Sequence, residues 1–126
     1  MSAEDVLLDF AQQSGHLTEI LSSAEKAYYF ARDVLDHPWP EAEAVIAEDP
    51  EWAYWYAREV LDRPWPEAEA VIALDPEWVY KYARNVLERP WPEAEAMIAQ
   101  DPHWAREYAR DVLKLSAREA KKWGRA

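Results

Sequence analysis

Arg63-Pro64-Trp65-Pro66-Glu67-Ala68-Glu69-Ala70 decides the architecture, because the same stretch returns as Arg89 to Ala96 and, with histidine in place of arginine, as His37 to Ala44. The copies are 26 residues apart, a fixed period that marks a tandem repeat. Two prolines bracket the tryptophan. Pro64 stops the helix before it, since a residue preceding proline is driven out of the α region. Pro66 starts another, because proline suits the first helical position. Glu67 and Glu69 fall in the turn whose free amides favour negative charge.

Upstream, Tyr54 to Leu61 superposes on Tyr28 to Leu35, Tyr80 to Leu87 and Arg106 to Leu113. Asp49-Pro50, Asp75-Pro76 and Asp101-Pro102 stand ahead of three of these segments, with Asp as N-cap and Pro at the first helical position. The pattern predicts A helices near 24–36, 50–62, 76–88 and 102–114, and B helices near 40–48, 66–74 and 92–100. On a helical wheel Trp52, Ala53, Tyr56, Ala57, Val60 and Leu61 form an apolar arc, and Glu51, Trp55, Arg58, Glu59 and Asp62 lie opposite. A B helix of about nine residues is too short to be stable alone in water, so it must be held between A helices.

The expected fold is all-α, an α-solenoid of helix-turn-helix repeats over residues 23–115. Residues 1–22 read as an N-terminal capping helix and linker, with an acidic first turn at Glu4 and Asp5, a stop at Gly15, a turn or helix from Leu17 to Leu21, and capping-box spacing between Ser22 and Glu25. Residues 116–126, where Ser116 and Glu119 replace the proline motif, read as a basic C-terminal capping helix.

The motif Tyr-Ala-Arg-(x)-Val-Leu-(x)2-Pro-Trp-Pro-Glu-Ala-Glu-Ala-(x)-Ile-Ala-(x)-Asp-Pro resembles a short helical repeat of bacterial and bacteriophage proteins. The resemblance covers residues 23–126 and implies an all-helical array, without transferring any functional residue. The architecture is similar in kind to tetratricopeptide and Sel1-like arrays, but the 26-residue period is shorter than either, so their peptide-binding positions do not carry over. Copies this alike fit recent duplication and consensus design equally.

The net charge is −11, which opposes direct nucleic-acid binding, since phosphate contacts need a clustered positive face. The charge is graded. Residues 1–22, 23–48 and 49–74 each carry net −4, residues 75–100 carry −2, and residues 101–126 carry +3. No cysteine is present, which excludes a disulfide framework, a thiolate metal site and a cysteine nucleophile. Met1-Ser2-Ala3-Glu4-Asp5 lacks the start of a signal peptide and no apolar run reaches membrane-spanning length, so a soluble, cytoplasmic protein is expected.

Little here suits catalysis. His16, His37 and His103 share no helix face and lack the spacing of a helical zinc site. Glu67 and Glu69, two residues apart on a helix, point about 200° apart and cannot share a proton. No enzyme activity, cofactor or metal is expected. Arg32, Arg58 and Arg84 each have an acid four residues on, at Asp36, Asp62 and Glu88, and these are expected to pair; Glu43, Glu69 and Glu95 are further partners. Arg110, with Lys114 at that place, is expected to be the freest.

Trp52, Trp78, Trp104, Phe30, Tyr56, Tyr82 and Tyr108 are expected in the core, and Trp39, Trp65 and Trp91 as plugs between helices. Tyr29, Trp55, Lys81 and Glu107 occupy one repeat position that points away from the apolar arc and differs in every copy, and surface aromatics cluster at interaction sites. Tyr28, Tyr54 and Tyr80 flank the apolar arc and are placed to extend it, and Tyr28 and Tyr54, with Arg110 beyond, join the column as candidate partner-binding residues. The expected function is a non-catalytic protein–protein interaction module presenting an acidic, aromatic-bearing surface to a basic or amphipathic protein. The alternatives are a head-to-tail self-assembling structural protein, or an acidic nucleic-acid mimic, phage-encoded, that blocks a host nuclease or DNA-binding protein.

Overall fold

The computed structural model describes the backbone of residues 16–123 and the side chains of residues 17–123, and the helix expected between Ser2 and Gly15 lies outside them. Every regular element among the described residues is helical. A short α1 (His16–Ile20) precedes the first repeat unit. The A helices are α2 (Ala24–Tyr29, continuing through Phe30–Leu35), α4 (Pro50–Tyr56, then Ala57–Leu61), α6 (Pro76–Tyr82, then Ala83–Leu87) and α8 (Pro102–Asp111). The B helices are α3 (Pro40–Ile46), α5 (Pro66–Ile72) and α7, a tight turn over Pro92–Ala94 leading into Glu95–Ile98. Helix α9 (Ala117–Trp123) closes the described chain.

The helix starts follow the cap chemistry. Asp49 Oδ1 accepts from the amides of Glu51 and Trp52 at 2.9 and 3.3 Å, and Asp75 and Asp101 act alike. At the first A helix the cap is Ser23, which accepts from the Lys26 amide at 3.3 Å, and not Ser22 as the capping-box spacing suggests; the Ser22 hydroxyl instead donates to the Glu19 carbonyl at 2.6 Å.

The ends of the A helices hold the main departure from a regular α pattern. In α2, α4 and α6 the last turn widens to a π-helix and stops on a left-handed residue, Asp36, Asp62 or Glu88, with φ between 53° and 57°. The Asp36 amide reaches back to the Ala31 carbonyl at 2.8 Å, and the Arg63 amide to the Ala57 carbonyl at 3.3 Å. In these three copies a proline two residues on bars the helix from continuing. The chain must leave the helix before Pro38, Pro64 or Pro90, and a wide last turn closed by a left-handed residue satisfies the final carbonyls in the space left. Helix α8, with no proline after it, stays α-helical to Asp111, yet a left-handed residue follows there too, Lys114 (φ 60°), and the Leu115 amide reaches back to the Ala109 carbonyl at 3.0 Å, so the proline goes with the widened turn and is not the cause of the left-handed residue.

These ends overturn the expected arginine pairs. A left-handed cap residue no longer continues the helix surface, so the acids at 36, 62 and 88 fall out of register with the arginines. Arg32 instead grips Asp33 at 2.7 and 3.1 Å, Arg58 faces Glu59 at 3.9 Å, and Arg84 donates to the Tyr80 hydroxyl at 3.3 Å.

Along the chain α2 packs on α4, α4 on α6, α6 on α8 and α8 on α9, and each B helix packs on the A helices before and after it. One core runs through all the copies, with Leu35, Ile46, Tyr56, Ile72, Tyr82, Ile98 and Tyr108 fully buried. Each such side chain contributes on the order of 1.5–3 kcal/mol by leaving water.

The copies are joined by one polar device used three times. The buried Trp65 amide donates to the Tyr82 hydroxyl at 2.8 Å, and that hydroxyl donates to Glu69 at 2.6 Å. Trp39, Tyr56 and Glu43 repeat the arrangement, as do Trp91, Tyr108 and Glu95. The second glutamate of each Glu-Ala-Glu is thus a tyrosine acceptor, not the arginine partner expected. Burial, reinforced by the carboxylate, raises the Tyr56, Tyr82 and Tyr108 phenols well above their ordinary range. The equivalent residue in the first A helix is Phe30, and no copy of Pro-Trp-Pro precedes it to need a hydroxyl. The Pro-Trp-Pro indoles stack on the aromatic of their own A helix, Trp65 on Tyr56 at 4.9 Å and Trp91 on Tyr82 at 5.0 Å; beyond the last motif Trp123 of α9 covers Tyr108 at 5.7 Å.

Candidate functional site

The column of variable residues, Tyr29, Trp55, Lys81 and Glu107, lies one position on from residues that neighbouring A helices bury against each other. Tyr28 and Tyr54 are 2% and 1% exposed. They extend the apolar arc and floor the surface, so only their expected presentation to a partner is corrected. Each hydroxyl accepts from a neighbouring side chain. Arg32 donates to the Tyr28 hydroxyl at 3.2 Å, and Asn85, one copy on, donates to the Tyr54 hydroxyl at 2.9 Å. The Tyr80 hydroxyl accepts from Arg84 and donates to Asp111, one copy on. Burial raises the Tyr28 phenol, opposed by Arg32, and burial with the Asp111 bond pushes Tyr80 up to about 12.

Between α2 and α4 the column opens into a groove of about 310 Å³. Its walls are Tyr29, Trp52 and Trp55, with Glu51 and Glu59 on one side and Arg32 on the other. Tyr29 is 39% exposed, and its ring lies 5.5 Å from Trp52. Trp55 is only half-buried and rests on Tyr54 at 5.0 Å, packed against the core cluster, so it does not stand clear of the surface as a single-helix wheel implies. The Arg32 guanidinium lies 5.0 Å from the Tyr29 ring, and Arg58 lies 5.7 Å from Trp55.

The other candidates do not join this groove. Lys81 is drawn to its own helix, donating to Glu77 at 2.7 Å with its ammonium 4.5 Å from the Trp78 ring. Glu107 pairs with Arg110, and Arg110 also contacts Asp111 at 2.9 Å. Arg110 is thus held by two carboxylates, contrary to the expectation that it is the freest of its set. The Arg110 contact, ahead of the Tyr80 bond, lowers Asp111 to about 2.

Two groove residues escaped the sequence reading. Trp52, expected in the core, is half-buried at its edge, and Glu51, expected on the face opposite the apolar arc, is half-buried beside it. The signal for both was their repeat position beside an aromatic column. Leu74, 65% exposed where the other copies carry Glu48 and Gln100, is a single apolar residue on a turn and makes no patch. Among the described residues no group of three His, Asp or Glu is placed to hold a metal ion, and no helix is long and apolar enough to cross a membrane. No protein-family model matches the chain, and neither a curated protein nor a solved structure matches it.

Proposed function

We propose that the chain is a non-catalytic protein–protein interaction module, a short α-solenoid that docks a basic or amphipathic partner in the groove between α2 and α4. The observation that carries this reading is the convergence of Tyr29, Trp52 and Trp55 beside Glu51 in one open groove, at a repeat position where the other copies carry Lys81 and Glu107. Rings and a carboxylate of this kind bind; they do not form a nucleophile–base pair. The same residue types recur at protein-binding hot spots, where Trp and Tyr dominate.

Head-to-tail self-assembly, the competing reading, draws on the charge gradient but meets two obstacles. Phe30 offers no hydroxyl to an incoming tryptophan amide, and Ser116-Ala117-Arg118 stands where that Pro-Trp-Pro donor is needed. The junction used inside the chain is therefore not reusable between chains.

The test is a photoreactive residue placed at position 55 or, as the control, at position 81, in cell extract. A protein crosslinked from position 55 and not from position 81, and lost on Tyr29→Ala, supports the docking face. Equal crosslinking from both positions rejects it. Trp55→Ala should leave the fold intact with a loss of about 1–2 kcal/mol, less than a fully buried tryptophan.

A further inference from the structure

The third copy carries an internal template for what the first groove holds. There Glu77, Trp78 and Lys81 form a closed unit in which the Lys81 ammonium donates to the Glu77 carboxylate at 2.7 Å and lies 4.5 Å from the Trp78 ring centre. The indole is backed by the preceding copy's tyrosine, Tyr54 at 5.4 Å. One copy earlier the same positions are Glu51, Trp52 and Trp55, and the indole is backed in the same way by Tyr28 at 5.5 Å. The acid, the indole and its support are all kept. Only the ammonium is replaced, by Trp55, which turns its ring onto Tyr54 at 5.0 Å.

The groove therefore lacks the cation that its counterpart supplies from within. Glu51 makes no side-chain hydrogen bond or ion pair among the described residues. Tyr29 adds a further ring 5.5 Å from Trp52, whereas its counterpart beside Trp78 is Trp55, whose ring contact is with Tyr54. The one guanidinium that lines the groove, Arg32, is already engaged by Asp33 at 2.7 Å, and Arg58, 5.7 Å from the Trp55 ring, faces Glu59 at 3.9 Å. A cation over an aromatic face is attracted by the ring quadrupole, most strongly over tryptophan, and an adjacent carboxylate adds a charge-assisted hydrogen bond.

We infer that this groove takes a lysine side chain of a protein partner, its ammonium held by Glu51 and the Trp52 face, with Tyr29 and Trp55 enclosing the alkyl stem. The inference rests on the docking reading above and names the chemistry of the docked group. An apolar side chain would use the rings and leave Glu51 idle, which makes the carboxylate the discriminating residue.

The experiment uses Nα-acetyl-lysine methylamide and its uncharged counterpart, Nα-acetyl-norleucine methylamide, each titrated into the full chain at constant ionic strength while the Trp52 indole N–H is followed by NMR. The lysine probe is expected to shift that resonance saturably and the norleucine probe not to. Glu51→Gln should weaken the lysine probe by about two- to fivefold, the scale of one exposed charge contact. Trp55→Lys should restore the third copy's closed unit and abolish the shift, and Lys81→Trp should give Trp78 the ability to respond. Equal response to both probes, no saturable shift up to the solubility of the lysine probe, or undiminished binding by Trp55→Lys overturns the inference. If crosslinking from position 55 survives while the lysine probe fails, the docking face stands and only its lysine chemistry is rejected; if both fail, both readings fall.

Discussion

Two regions of the molecule repeat at the same period and behave in opposite ways. The seam between copies, Trp–Tyr–Glu, is chemically the same three times over, with its bonds within 0.1 Å of one another at each step. The outer column changes from tyrosine to tryptophan to lysine to glutamate. The seam has no freedom because each member satisfies a group that burial has cut off from water. The column has freedom because no buried polar group depends on it: its members face solvent, their own helix or, for Tyr29, the edge of Trp52. Sameness in this chain therefore marks the load of holding copies together, and difference marks the surface available for a partner.

Alkali should break the seam most severely. The phenols of Tyr56, Tyr82 and Tyr108 are all raised in the folded chain, so on passing pH 10 the unfolded chain loses these protons first. The stabilisation is full below the unfolded value and is lost as pH climbs through it toward the folded values. Urea midpoints should fall steeply above about pH 10, and should still fall at high salt, which separates the tyrosines from general charge repulsion.

A smaller and more local break is Tyr82→Phe, which leaves the buried Trp65 amide without its acceptor and Glu69 without its donor. A loss of about 1–3 kcal/mol is expected. Phe30→Tyr, at the same repeat position with no such partners, should change the urea midpoint little, and an equal effect of the two substitutions would show that the hydroxyl bonds are not what distinguishes the seam.

The smallest effect is expected at the helix ends. Asp62→Gly relieves a left-handed non-glycine residue and should raise stability by up to about 1 kcal/mol, since part of the gain is returned to the unfolded chain's entropy. A loss instead would mean that the Asp62 carboxylate holds the turn by a contact of its own.

The sequence shows the helix starts clearly, because Asp49 and Pro50 act within one turn of each other and the relevant bonds, 2.9 and 3.3 Å, span two or three residues. It shows the Pro-Trp-Pro tryptophans as junction plugs for the same local reason, and Trp39, Trp65 and Trp91 are buried. It hides the Tyr–Glu bond, which joins residues 13 apart on different helices. The wheel that placed Trp55 outward gives only the direction of the side chain from the axis, whereas the ring folds back onto Tyr54 of its own helix and is half-buried. The left-handed ends were hidden because Asp36, Asp62 and Glu88 are not the glycine that usually marks such a turn. Glu51 and Trp52 were legible as types and not as a pair, since their meaning comes from comparison with Glu77, Trp78 and Lys81 across copies.

The short reach of the seam also bears on how the chain acquires its structure. The side-chain bonds that tie neighbouring copies span 13, 17 or 31 residues, so only small loops close at each step and the entropy of closure is met in increments. Low contact order of this kind goes with rapid folding. In a chain joined this way the terminal copies are expected to fray before the middle ones, which faster amide exchange in α2 and α9 than in α5 would check.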